Sequence, residues 1–126
     1  MEREHLEHFL SRGFELGFVK ETDDLQFLGW ILLSKRVPEE RYLSLLRPGE
    51  EPEYVAQQEL FRTRPYQVQV LELHRDVLES GRYETEEDFR RNEVHYFSSL
   101  DEVEEFAQGF GHALENIKWL REINAP

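Results

Sequence analysis

Arg62 and Arg64 stand two residues apart, and on a strand two such side chains leave the same face. A pair of guanidinium groups so placed can clamp a carboxylate or a phosphate through forked hydrogen bonds. Tyr66 or His74, on the next extended segment, would stand near such a small anionic-ligand site. The competing use is ordinary ion pairing with Glu51, Glu53, Glu59 or Glu72, which surface arginines form readily. His74 and His95 each fall near the end of an expected strand. If they met across a sheet beside Asp76 or Glu93 they would support general acid–base chemistry, although nothing in the spacing requires the meeting.

Glu4-His5-Leu-Glu-His8 would place two imidazoles on one flank of a helix, but a third ligand and its supporting shell are missing. Solvated histidines are therefore expected there, and no metal. The chain contains no GxGxxG, no Walker loop, no GxSxG and no HExxH. It also has no cysteine, which excludes thiol nucleophiles, thiolate metal sites and disulfides. No catalytic residue is assigned and no cofactor is expected.

The remaining chemistry is acidic. Glu84, Glu86, Glu87 and Asp88 form a dense block close to Tyr83, Phe89 and Tyr96, and Asp101 to Glu105 forms a second. Clustered carboxylates accelerate encounter with a basic protein, and buried aromatic side chains then hold the complex. The plainer account of both blocks is a solvated loop and an ordinary helix start. Trp119, beside Lys118 and Arg121, falls off the apolar face set by Leu114 and Ile117. It is either an interface residue or a side chain packed over the N-terminal helix, and the packing reading is favoured.

These residues need elements to position them. The chain has 126 residues, which suits one domain over residues 1–126. Sixteen aromatic side chains supply enough buried area for a core despite 33% charged residues. The net charge is −12, divided as −4 over residues 1–34, zero over 35–75 and −8 over 76–126. Such a field repels nucleic acid and attracts a basic protein surface. The most apolar run, Phe27 to Leu33, is far shorter than the roughly 20 residues of a membrane helix, so no membrane partner is expected. The acidic first residues lack the pattern of a signal peptide, and a cytoplasmic location is the default expectation.

Leu6, Phe9, Leu10 and Phe14 make one stripe of an expected helix over residues 2–16, with Gly17 as its stop. Residues 26–36 read as a central strand, apolar on both faces. Arg41 to Arg47 is expected to return as a strand, and Pro48 to Pro52 is the clearest loop. Glu53 to Arg64 fits alternation as well as helix and is taken as strand, followed by Tyr66 to Val70. The period changes near residue 71, where a bulge or a switch into helix would reconcile it. A polar segment follows from Gly81 to Asn92, then a short strand over residues 94–97. Ser99 and Glu102 have capping-box spacing and open a final helix along Leu100, Val103, Ala107, Phe110, Leu114 and Ile117. Gly109 and Gly111 would bend or divide it.

The expected fold is α+β: an N-terminal helix, an antiparallel sheet of four to five strands and a C-terminal helix packed on the sheet. The expected function is a small acidic, non-enzymatic module that binds another, basic protein, in the manner of an inhibitor or immunity protein. A homodimer joined through the C-terminal helix and Trp119 is its plainest form. The alternative is an anionic-ligand protein or enzyme using Arg62, Arg64 and His74.

Overall fold

Strand pairing organises the computed structural model, which describes residues 1–126. The helix α1 (Arg3–Ser11) precedes a hairpin of β1 (Leu16–Lys20) and β2 (Phe27–Lys35). Two helices, α2 (Glu40–Leu43) and α3 (Pro52–Thr63), intervene before β3 (Tyr66–His74), which runs directly into α4 (Arg75–Ser80). Then come β4 (Phe89–Phe97), α5 (Leu100–Gln108) and the two-residue β5 (Lys118–Trp119). The five strands form one antiparallel sheet in the order β4-β3-β2-β1-β5. The α+β architecture, with α1 and α5 packed on the sheet, is the expected one.

The sheet buries both faces because β2 is apolar on both. Ile31 and Leu33 point to one side, where they meet Leu6 and Leu10 of α1 and Leu100, Val103 and Ala107 of α5. Trp30 and Leu32 point to the other, where Leu71, Leu73, Val77 and Ile123 close over them. The Trp30 indole donates to the Ile123 carbonyl at 2.8 Å, which ties the carboxy-terminal turn onto that face.

Several elements differ from expectation, each for a local reason. Arg41 to Arg47 is not a strand but α2 and a turn, and its apolar residues fall in adjacent pairs, Tyr42-Leu43 and Leu45-Leu46, and not at every second position. Glu53 to Arg64 is helical: Pro52 occupies a first-turn position and Ala56-Gln-Gln-Glu-Leu60 are strong helix formers. Its one buried residue, Gln58, accepts the Glu39 amide at 2.8 Å and anchors the excursion. The first helix stops at Ser11, because Gly13 takes the left-handed conformation at φ 87°. Gly17 instead lies inside β1, where a Cβ would stand 2.6 Å from the Ile31 carbonyl oxygen.

Both devices expected near residue 71 occur a little later. A bulge falls between Glu72 and Leu73, and the chain turns into α4 after His74. The strand expected over residues 94–97 begins earlier, at Phe89. Ser99 accepts the Glu102 amide and starts α5, whose end at Gln108 is followed by Gly109 and Gly111. Leu114 and Ile117 then return to the same core outside the helix.

Candidate functional site

In an antiparallel meander, alternate connections emerge at the same end of the sheet. β1 leaves at Lys20, β2 enters at Phe27, β3 leaves at His74 and β4 enters at Phe89, and the register aligns Lys20, Gly29, Glu72 and Arg91 across them. Residues 21–26, α4 and residues 81–88 are thereby gathered at one end. They carry nine carboxylates (Glu21, Asp23, Asp24, Asp76, Glu79, Glu84, Glu86, Glu87 and Asp88) against two arginines.

Those two arginines are occupied. Arg82 donates to Asp76 at 3.0 Å and reaches Asp88 with two nitrogens at 2.9 and 2.7 Å. Asp88 also accepts the Thr85 amide at 2.7 Å, closing a capping box. Arg82 and the Thr85 amide together hold the Asp88 carboxyl well below the usual carboxylate range. Asp88 thus shapes the loop. Arg75 donates to the Leu25 carbonyl at 3.0 Å and faces Glu79 at 3.6 Å. Glu84, Glu86 and Glu87 are exposed, and their carboxylates make no hydrogen bond or ion pair. Tyr83 beside them is almost fully exposed.

A groove of about 450 Å³ opens between the β1–β2 hairpin and α4 at this same end. Val19, Leu25, Phe27, Leu28, Trp30 and Leu78 give it an apolar lining, and Glu21 and Arg75 stand at its margin. Leu25 is 85% exposed, and Val19 and Leu78 are exposed as well. The loop that displays Leu25 is fixed from within. The Thr22 hydroxyl donates toward the carbonyls of Asp24 (2.8 Å) and Phe27 (2.9 Å), and the Gln26 amide donates to the Asp24 carboxylate at 2.9 Å.

On the opposite face of the sheet, a charge network that sequence reasoning missed supports the same end. Glu72 is only 4% exposed and accepts from Lys20 at 3.2 Å and from Arg90. The bulge opposite Glu72 brings Arg90 beside Arg91, and Arg90 continues to Asp23 at 2.7 Å. Burial pushes the Glu72 carboxyl up, but Arg90 and Lys20 more than offset it and hold it below its ordinary value. Arg91 forks onto Glu93 at 2.8 and 3.0 Å, and His95 meets Glu93 at 3.2 Å. Every charge in this network has a partner, so its role is to clamp the Asp23 loop to β4. One signal was available. Val68, Val70 and Glu72 share a strand face, and a carboxylate on a buried face demands nearby cations.

The other sequence candidates are dispersed. Arg62 lies on a helix, not a strand, and pairs with Glu40 at 2.8 Å and with Glu59. Arg64 caps that helix and is exposed, and His74 ends β3 about 27 Å from its start at Tyr66. The anionic clamp is therefore not assembled. His74 accepts the Asp76 amide at 3.1 Å and caps α4. His95 pairs with Val68, six residues from His74 or roughly 20 Å away, so the two imidazoles do not meet. Phe89 packs against the Trp30 core, and Tyr96 sits near Phe61 with ring centroids 6.2 Å apart, far along β4 from the acidic loop. Trp119 packs on Phe9 and Phe14 at 4.7 and 5.6 Å, which joins it to the N-terminal segment. No group of three or more histidine and carboxylate side chains is placed to hold a metal ion. No helix is long and apolar enough to cross a membrane.

Compared with protein-family models, curated proteins and solved structures, the chain matches none.

Proposed function

We propose that this chain is a protein-binding module, and that its acidic end receives a basic segment of another protein carrying a large apolar side chain. The observation that carries the proposal is Leu25: a large apolar residue held outward by a hydrogen-bonded loop, lining an apolar groove at the end of the sheet that also carries the free carboxylates of Glu84, Glu86 and Glu87. The free carboxylates of Glu84, Glu86 and Glu87 steer a positively charged segment and screen out acidic ones. Burial in the groove then supplies affinity, since covering a leucine side chain is worth about 1.5–3 kcal/mol. Asp88 and Arg82 keep the acidic loop in shape without touching the partner.

Selection from a random peptide library displayed on phage tests this reading. The enriched peptides should place a large apolar residue among lysines and arginines, and their binding should weaken as salt rises. Leu25→Ser should reduce affinity about tenfold or more. Joint replacement of Glu84, Glu86 and Glu87 by glutamine should chiefly slow association. Selected peptides that lack basic residues, or that bind the Leu25→Ser protein unchanged, would refute the proposal.

A further inference from the structure

The two edges of the sheet are treated differently. β5 pairs with β1 at Leu16 and Gly17, and the carboxy-terminal turn packs beside it. On the other edge, the Phe89 amide donates to the Glu86 carbonyl, and beyond it the backbone of Arg90–Phe97 bonds only to β3, with no helix, loop or side chain taking up its outward amides and carbonyls. An open edge of this length is a template for another strand. Its guards are few. Neither proline nor lysine stands on it, Arg91 and Glu93 are bonded to each other, and the single bulge disturbs only Phe89 and Arg90, leaving Arg91–Phe97 regular.

We propose that β4 pairs antiparallel with β4 of a second copy of this chain, about a twofold axis at Val94, joining the two sheets into one. The register follows from elementary constraints. Alternate residues of an edge strand turn both backbone groups outward, so self-pairing aligns only residues of like parity. An axis at Asn92 would draw both bulges into the new ladder. An axis at Glu93 would set that carboxylate against its own copy, which is repulsive. An axis at His95 would shorten the overlap to residues 93–97.

An axis at Val94 uses the whole regular stretch. It sets Glu93 opposite His95 and Asn92 opposite Tyr96 of the other copy, and Val94 meets itself. Val94 is 44% exposed in the single chain, on the face where Leu71 and Leu73 lie further along. The register itself favours a second copy as the occupant: each Glu93 carboxylate faces the His95 imidazole of the other copy, Arg91 faces Phe97, and no two like charges stand directly opposite. This proposal does not depend on the groove beside Leu25.

The absence of cysteine makes the register directly testable. In the proposed dimer, Val94→Cys places two thiols on strands whose α-carbons are about 4.5–5.5 Å apart, within disulfide reach. Asn92→Cys places them roughly 14 Å apart. Sedimentation of the unmodified chain from micromolar to several hundred micromolar should show a concentration-dependent dimer. Mild oxidation should cross-link the Val94→Cys protein and not the Asn92→Cys protein. Val94→Asp sets two carboxylates together on the axis and should weaken the dimer by roughly a hundredfold, with an unchanged circular dichroism spectrum. A chain that stays monomeric throughout overturns the proposal. So does a dimer indifferent to Val94→Asp, or preferential cross-linking through residue 92.

Discussion

Replacing Glu72 with glutamine keeps the side chain's shape and removes its charge. Glu72 is almost fully buried, and the Lys20 side chain that faces it is 11% exposed, so the ammonium would lose its partner with little water to replace it. Breaking a buried pair from one side typically costs 3–5 kcal/mol, because the surviving charge is left uncompensated. The network around Glu72 is not sealed, since the Arg90 side chain is 33% exposed and keeps Asp23 as a second partner. A loss of about 2–3 kcal/mol is therefore expected, at or just below the bottom of that range. Urea denaturation should show the transition midpoint falling at constant slope. The pH dependence has a definite sign. The folded carboxyl lies below its ordinary value of 4.5, so its contribution is complete above that pH and is lost as pH falls through the folded value. The gap between the two proteins should hold steady from pH 6 to pH 8 and close in acid. Amide exchange across residues 21–26 should also quicken, because the Asp23 loop is clamped through Arg90. A cost below about 0.5 kcal/mol would refute the reasoning, as would a gap that widens in acid.

Two further substitutions test how the sheet is assembled. Gly17→Ala would drive a methyl group to 2.6 Å from the Ile31 carbonyl oxygen, and should cost about 1–3 kcal/mol in chemical denaturation. Trp30→Phe removes the 2.8 Å bond to the Ile123 carbonyl and leaves unfilled volume beneath the carboxy-terminal turn. It should destabilise the fold by about 1–3 kcal/mol and make residues 120–126 the first site of limited proteolysis.

The sheet's centre was legible because its signals are local. Phe27 to Leu33 is apolar at nearly every position, and a segment too short for a membrane can only be covered on both sides. Ser99 and the glycines at 109 and 111 likewise mark the start and end of α5 within a few residues of themselves. β1 was illegible because its pairing partners, β2 and β5, are remote, while Phe14 happens to continue the stripe of α1. Over Glu53 to Arg64, alternation competed with propensity, and no neighbouring strand was available to reward alternation. The Glu72 network needed three strands and a bulge before its partners came together.

The candidate site has the same origin as that network. Glu21 to Asp24 and Asp76 to Asp88 are more than fifty residues apart, and only antiparallel connectivity places both at one end of the sheet. At the opposite end the β2–β3 connection, residues 36–65, carries five arginines and six glutamates, and the start of α5 adds Asp101, Glu102, Glu104 and Glu105, so both ends of the sheet are acidic. The two acidic blocks differ in their partners. Asp101 and Glu104 hold Arg3 at the surface and Glu102 accepts the Ser98 hydroxyl, so three of the four carboxylates of this block have partners and Glu105 has none. Glu84, Glu86 and Glu87 are committed to nothing, while neighbouring Asp88 and Arg82 are fully engaged in holding their loop. On the proposed reading, a loop held by Arg82 between Asp76 and Asp88, with three free carboxylates at the same end of the sheet as an apolar groove, would receive a partner that brings both a cation and a side chain to bury.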